Sequence, residues 1–70
     1  MNADQYRAAI TRLGLTQQAA ADFLGISLRT SQAYAIGETS PIPRSTSLLL
    51  RMMIWLGKSP EAVLKKFPPD

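Results

Sequence analysis

Glycines and helix-capping residues divide the 70-residue chain into short helical segments. Apolar residues recur three or four positions apart, which is the spacing of one helix face, and a glycine follows each of the first four segments. β-branched residues are sparse, and no long stretch alternates between polar and apolar residues, which argues against strands. The pattern therefore predicts an all-α fold, a compact bundle of short helices.

Five helices account for most of the predicted structure. Asn2 and Gln5 have the spacing of a capping box, and Pro60 has the position of a first-turn proline. The turn-rich segment 38–43 separates the third helix from the fourth, because the residue before a proline disfavours helix. Helices this short are marginal in water by themselves, so they must pack on one another. The predicted helices span about residues 3–13, 17–24, 28–36, 44–56 and 60–67.

The composition excludes several kinds of site. The chain contains no Cys and no His, which excludes zinc fingers, thiol enzymes and hydrolases that depend on a catalytic His. Its five acidic residues are scattered, and no pair of them shares a helix face with a base or a nucleophile. We therefore predict that the chain is not an enzyme and has no catalytic residues, no metal site and no cofactor.

The charge balance is basic but mild. Eight Lys and Arg residues against five acidic residues give a formal net charge of +3. This balance suits an anionic partner such as the DNA backbone, and it is also common in proteins with other functions. The longest apolar stretch, 48–56, contains Arg51 and is far shorter than the ~20 residues of a membrane span. No apolar signal segment begins the chain, so we expect a cytoplasmic protein without membrane contact.

The second and third helices are joined by only Leu24-Gly25-Ile26-Ser27. So short a joint forces a sharp crossing between the helices, and Gly25 can adopt the positive φ that the turn requires. Ala21 lies one helical turn before Gly25, where a small side chain lets the third helix approach closely. Ile26 is predicted to enter the core. These features are those of a helix-turn-helix over about residues 16–37, which presents its second helix to the DNA major groove.

The segment TQQAAADFLGISLRT, residues 16–30, resembles the Cro/repressor (XRE) type of helix-turn-helix. Thr-Gln at the start of the second helix, the Leu-Gly-Ile-Ser turn and the closing Gly37-Glu38 have the family's spacing. The resemblance extends over about residues 6–55. It implies a single lambda repressor-like DNA-binding domain that comprises residues 1–70.

The third helix is predicted to have an inward and an outward face. Ser31 stands where the family usually has Val or Ile, and Phe23 and Tyr34 are the candidates to fill the space beside it. If Ile26 is in the core, Ser31 and Tyr34 face inward. The residues on the opposite face then point outward, and the resemblance implies that they read DNA bases. They are Leu28, Arg29, Gln32 and Ala33.

The outward side chains suit base edges. Arg29 can donate two hydrogen bonds to guanine O6 and N7, and Gln32 can pair with adenine or bond a phosphate. Leu28 and Ala33 can contact thymine methyl groups. The alternative for each is an ordinary exposed helix position, and for Leu28 the two interpretations are evenly balanced because single exposed leucines are common.

The resemblance also implies contacts with the DNA backbone. Gln17 matches a phosphate-contacting position at the first residue of the second helix, where free N–H groups point the same way. Arg44 follows the Pro41-Ile42-Pro43 turn, where the family places a basic residue along the backbone or in a narrow minor groove. Ser27 is first a helix cap and only secondarily a phosphate contact. The residues predicted to contact the backbone are Gln17, Ser27, Thr30, Thr39 and Arg44, and the alternative for each is a surface or turn role.

The fourth helix is apolar around most of its circumference. One apolar face is enough for a core, so residues 48–56 have a second face that needs a cover. Either the fifth helix covers it within one chain, or a second copy does. Met and Trp side chains are typical of interfaces, and a small core without disulfides favours association, so we predict a homodimer. The predicted interface residues, in the segment 44–67, are Met52, Trp55, Leu56, Leu64 and Phe67.

Together these expectations describe a sequence-specific transcription regulator similar to small bacterial and prophage members of the family. The resemblance implies a homodimeric repressor that binds a palindromic operator in double-stranded DNA and acts on its own operon. The alternative is a protein-interaction module on the same fold, either antitoxin-like or an anti-activator. It is favoured by the apolar fourth helix and the low net charge. Neither interpretation requires a small-molecule substrate.

Overall fold

A computed structural model describes residues 1–37 and 41–68, and this part of the chain consists of α-helices without strands. The Cα radius of gyration of 11.3 Å is close to the roughly 11 Å expected of a folded chain of this length. The predicted all-α bundle is confirmed, and each predicted helix boundary agrees with the structure to within one residue. None of the described helices is long and apolar enough to cross a membrane. The helices are α1 (Ala3–Arg12), α2 (Gln17–Leu24), α3 (Leu28–Ile36), α4 (Arg44–Leu56) and α5 (Pro60–Lys66).

Side-chain caps explain where most of the described helices begin. Asn2 and Gln5 form the predicted capping box, in which each side chain accepts a hydrogen bond from the other residue's backbone N–H at 2.8–2.9 Å. Thr16, Ser27 and Ser59 each accept a bond of 3.1 Å from the third N–H of the helix that follows. Each such cap stabilises a helix by about 1 kcal/mol. α4 differs, because it follows Pro43 and begins without a side-chain cap.

The core lies between α1, α3 and α4, and α2 packs against α3. The rings of Tyr6 and Tyr34 meet edge to face, with centroids 5.5 Å apart and planes at 78°. Leu50 supplies the inner face of α4 and has no exposed surface. α5 is peripheral, since Pro60 is the one residue that it buries. The buried core cluster of the described chain consists of Tyr6, Ala9, Ile10, Ala20, Tyr34, Ala35 and Leu50.

The turn between α2 and α3 has the predicted geometry. Gly25 adopts φ +70° and ψ 31°, in the left-handed region that favours glycine. The Ile26 N–H then reaches back to the Ala21 carbonyl at 3.0 Å, and the Gly25 N–H points to the Asp22 carbonyl at 3.4 Å. This pair of bonds is a Schellman motif, which satisfies the last carbonyls of α2. Ala21 is fully buried and Ile26 packs half-buried against the core, so α3 starts close to α2.

The space beside Ser31 is filled differently from the prediction. Tyr34 is buried as expected, but Phe23 is only half-buried and lies in a groove beside Pro60 and Leu64 of α5. Tyr6 of α1 contacts Ser31 instead, through its hydroxyl. The expectation for Phe23 was wrong because the partner of Ser31 is polar and comes from a helix 25 residues away in the sequence.

Candidate functional site

α3 has one buried face and one exposed face. Ser31, Tyr34 and Ala35 are buried against the other helices. Arg29 and Gln32 are exposed on the opposite side, as predicted. Leu28 has 37% of its surface exposed, whereas Ala33 is half-buried at the edge of this face. The four residues predicted to read bases therefore lie on the outer side of α3, with Arg29 and Gln32 the most accessible polar members.

A buried chain of hydrogen bonds holds the inner face of α3. The Ser31 hydroxyl has no exposed surface and lies 2.7 Å from the Tyr6 hydroxyl. It donates to Oε1 of Gln17 at 2.7 Å. Because a serine hydroxyl has one hydrogen, the bond to Tyr6 must be donated by Tyr6. The three side chains thus connect α1, α3 and the first residue of α2, through contacts that no local sequence pattern predicts.

The environment of Tyr6 disfavours its ionised form. Burial raises the pKa of the Tyr6 hydroxyl above its ordinary value of 10.0, and the neighbouring Tyr34 raises it further. The hydrogen bond with Ser31 acts in the opposite direction. A neutral phenol at ordinary pH can donate its proton, as the hydrogen-bond chain requires.

Ser27 and Thr30 fix the beginning of α3. Ser27 Oγ accepts from the Thr30 N–H at 3.1 Å and lies 2.9 Å from the Thr30 hydroxyl. The primary role predicted for Ser27, a helix cap, is confirmed. Thr30 is half-buried, and its hydroxyl is already bonded within the turn. The bond between the two hydroxyls uses one of their two hydrogens, so only one hydroxyl hydrogen of this pair remains to donate to a phosphate oxygen. Thr39, which was also predicted to bond a phosphate, lies outside the described residues.

Arg7 fixes the end of α3, a role that was not predicted from the sequence. Its guanidinium donates to the carbonyl of Ala35, in the last turn of α3, and pairs with Asp4 one turn earlier in α1. A cation is favourable at a helix C-terminus, where carbonyl groups lack partners within the helix. The i, i+3 spacing of Asp4 and Arg7 is a signal from which the pair along α1 could have been predicted, but nothing local indicates a contact with Ala35, 28 residues further on.

Two exposed arginines stand at helix starts. Arg29 is the second residue of α3 and Arg44 the first residue of α4. A cation is mildly unfavourable there because the helix N-terminus carries partial positive charge. In the part of the chain that the structure describes, Arg7 and Lys65 are the cations paired with carboxylates, with Glu61 3.8 Å from Lys65. Among the described residues neither Arg29 nor Arg44 is paired with a carboxylate, so both exposed side chains are accessible to an anionic partner.

A continuous apolar surface lies at the other end of the molecule. On α4 the residues share one face, at positions i, i+4, i+7 and i+8, opposite the buried Leu50. Trp55 is the most open of them, with 80% of its surface exposed. The alternative that α5 covers this face within one chain is therefore wrong. This apolar surface consists of Leu48, Met52, Trp55 and Leu56 of α4 with Phe67 at the end of α5.

A groove of about 490 Å³ runs between α4 and α5 beside the apolar surface. Leu49, Met53 and Val63 contribute to its lining, together with Met52, Leu56 and Phe67 of the apolar surface. Lys58 and Lys66 also line this groove. All five residues predicted to form a dimer interface are exposed in the single chain. Met52, Trp55, Leu56 and Phe67 belong to the apolar surface, whereas Leu64 lines the separate groove beside Phe23 and Pro60.

The geometry of α2 and α3 is thus that of two short helices joined by a tight glycine turn, with a polar face outward. The resemblance to the Cro/repressor family depends on residues 16–30 and Gly37-Glu38. Comparisons with protein families, with curated proteins and with solved structures gave no match.

Proposed function

We propose that the chain is a sequence-specific DNA-binding regulator of the Cro/repressor type, which inserts α3 into the major groove. The observation that carries this proposal is the division of α3 into two faces. Its inner face is fixed by Tyr6, Ser31 and Tyr34, while Arg29 and Gln32 point away from the bundle. A rigid helix that displays polar side chains beside a tight turn suits readout of base edges.

The outer residues of α3 have distinct roles in this proposal. Arg29 forms two hydrogen bonds with a guanine, and Gln32 pairs with an adenine. Leu28, partly exposed at the first position of α3, contacts a thymine methyl group. Ala33 is small and lies at the edge of the face, where it permits close approach of the duplex.

Residues at the helix starts bind the DNA backbone. The side-chain amide of Gln17 donates to a phosphate oxygen. Arg44 follows the backbone or enters a narrow minor groove. Ser27 and Thr30 make weaker phosphate contacts because their hydroxyls already bond each other at 2.9 Å.

The active form is a homodimer that joins two chains through the apolar surface. Large contiguous apolar patches on soluble proteins mark interaction sites, and aromatic and Met side chains are enriched there. A two-fold dimer would place two copies of α3 about 34–36 Å apart, in successive major grooves of a palindromic operator. Occupancy of such an operator represses by excluding polymerase from the promoter.

The test is a selection of bound sites from a random double-stranded DNA library, followed by affinity measurements on the recovered site and on a scrambled version. We expect an enriched palindrome, two chains per site and an affinity that falls as salt rises. Arg29→Ala should weaken binding to the recovered site by about 1–3 kcal/mol and relax the preference at one base pair.

The control is Arg12→Ala, which removes the same charge from an exposed position in the last turn of α1. It should leave the base preference unchanged. An equal loss for Arg29→Ala on every DNA sequence would make Arg29 a phosphate contact. Library selection without any enriched sequence would refute the proposal.

The second candidate is a protein-interaction module, which the 80% exposure of Trp55 favours. Here the apolar surface binds a different protein, and α3 binds DNA weakly and without sequence preference. Equal binding to both DNAs that disappears at physiological salt, together with a monomeric chain at high concentration, would favour this candidate over the regulator.

A further inference from the structure

We infer that Ser31 and Tyr6 are positioning residues for DNA binding: they fix which end of the Gln17 side chain faces the phosphate backbone. This inference rests on the proposed function. It concerns residues that no sequence pattern connects, because Tyr6 lies 25 positions from Ser31 and Gln17 lies 14 positions from it.

The direction of the hydrogen bonds follows from the number of protons available. Oε1 of Gln17 can only accept a hydrogen bond, so the Ser31 hydroxyl must donate its one hydrogen to Oε1 in this bond of 2.7 Å. The Tyr6 hydroxyl must then donate to Ser31 Oγ, also at 2.7 Å. No buried side-chain N or O atom of the described residues lacks a partner. The Tyr6 hydroxyl therefore donates to Ser31, and the Ser31 hydroxyl donates to Gln17, so each hydroxyl hydrogen takes part in one hydrogen bond.

This order determines what Gln17 offers to a partner. An amide side chain can present either an acceptor oxygen or two N–H donors, and rotation by 180° exchanges them. With Oε1 bonded to Ser31, the donor end of Gln17 is the one left for a ligand. Phosphate oxygens only accept hydrogen bonds, so this orientation binds the backbone, whereas the reverse one would repel it. A serine can bond either end of an amide, so the choice comes from Tyr6: among the described residues its buried hydroxyl bonds Ser31, and donating to Ser31 Oγ leaves the Ser31 hydrogen for Oε1 of Gln17. Ala or Val at position 31 would remove this link between Tyr6 and Gln17.

The first measurement needs no DNA. In the free protein, the side-chain amide of Gln17 should give a rigid pair of ¹⁵N-correlated NMR signals. Ser31→Ala should make this group mobile, with loss of the side-chain heteronuclear NOE. Ser47→Ala is the matched control, because Ser47 is a buried serine of α4 with 7% exposure and is not part of the chain of bonds. A Gln17 amide that is equally rigid in the wild type and in Ser31→Ala would overturn the inference.

The second measurement is a double-mutant cycle on the selected DNA site. Ser31→Ala should weaken binding about tenfold when Gln17 is present and less than about twofold in a Gln17→Ala background. Tyr6→Phe leaves Ser31 in place but removes its donor, and should weaken binding by about two- to threefold. It also serves as the test variant if Ser31→Ala does not fold. Equal losses in both Gln17 backgrounds would mean a purely structural role and would overturn the inference.

The two measurements separate this inference from the proposed function. If the unmodified chain shows no sequence-specific DNA binding, the proposed function fails, and the role of Ser31 in DNA binding fails with it, whatever the NMR result. If the unmodified chain binds its selected site but the cycle shows no coupling between Ser31 and Gln17, only the inference fails.

Discussion

The α1–α3 region and the α4–α5 end of the molecule differ in how many of their helix starts are capped and how much of their apolar surface is buried within one chain. In the first region each helix start has a side-chain cap, and the buried hydroxyls are paired through Tyr6, Ser31 and Gln17. At the other end α4 begins without a side-chain cap and leaves Trp55 in solvent, while α5 buries one residue. The difference indicates that polar groups and caps of the α1–α3 region are satisfied within one chain, whereas the α4–α5 end leaves a large apolar surface exposed to solvent.

The largest expected effect is a difference in the free energy of unfolding between substitutions on the inner and the outer face of α4. Leu50→Ala removes a fully buried side chain and should lower the free energy of unfolding by about 2–5 kcal/mol. Trp55→Ala should change the unfolding of the dilute chain by less than about 0.5 kcal/mol, because most of the ring is already in water. Urea denaturation followed by circular dichroism measures both. Similar losses for the two variants would mean that the outer face of α4 is packed within the monomer.

The same Trp55→Ala variant tests the dimer. Sedimentation equilibrium at rising concentration should show self-association of the wild type, and Trp55→Ala should weaken it by about 2 kcal/mol or more if Trp55 is central to the interface. Ile36→Ala is the matched control, since Ile36 is an apolar α3 residue with 65% exposure outside the apolar surface. A wild type that stays monomeric at every concentration would contradict the homodimer.

A smaller effect is expected when two glycines with the same backbone conformation are each replaced by alanine and the losses of stability are compared. Gly25 has φ +70° and Gly57 has φ +67°, and an added Cβ would meet no atom within 4 Å at either position. Gly25→Ala should cost about 1–2 kcal/mol of stability, because the left-handed backbone is strained for alanine. Gly57→Ala should cost less, since α5 is peripheral and can detach locally without disturbing the core. Urea titrations of both variants test this order, and a greater loss for Gly57→Ala would reverse the comparison.

The smallest effect is a dependence of stability on alkaline pH. The pKa of Tyr6 is raised in the folded chain, mainly by burial. Below pH 10 the hydroxyl is protonated in both states, so its stabilising contribution is fully present. As the pH rises above about 10, the unfolded chain ionises first and the free energy of unfolding falls. Tyr6→Phe should show a shallower decline between pH 9 and 11 in thermal unfolding, and an identical slope would contradict the assignment to Tyr6.

Local signals made the helices predictable, and distant contacts were not predictable from the same signals. Asn2, Thr16 and Gly25 act on the backbone within a few residues, so their types and spacing were enough to place the helix ends. The periodicity of α3 placed Arg29 and Gln32 outward for the same reason. The partner of Ser31 depends on which residue of α1 faces it. The contact between Arg7 and Ala35 depends on the angle at which α1 crosses α3. An inward serine is compatible with many partners, so the sequence did not distinguish Phe23, which was predicted to lie beside Ser31, from Tyr6, which contacts it.

If α3 reads DNA as proposed, the stability of this chain is nearly independent of the DNA sequence that it binds. Arg29 and Gln32 are exposed, whereas the bonds that hold α3 in place come from Ser31, Arg7 and the Ser27 cap. Variation at the two exposed positions therefore leaves the fold intact, and selection can act on binding preference alone. The bundle is in this sense an evolvable scaffold, and a library randomised at residues 29 and 32 is expected to remain folded in nearly every member.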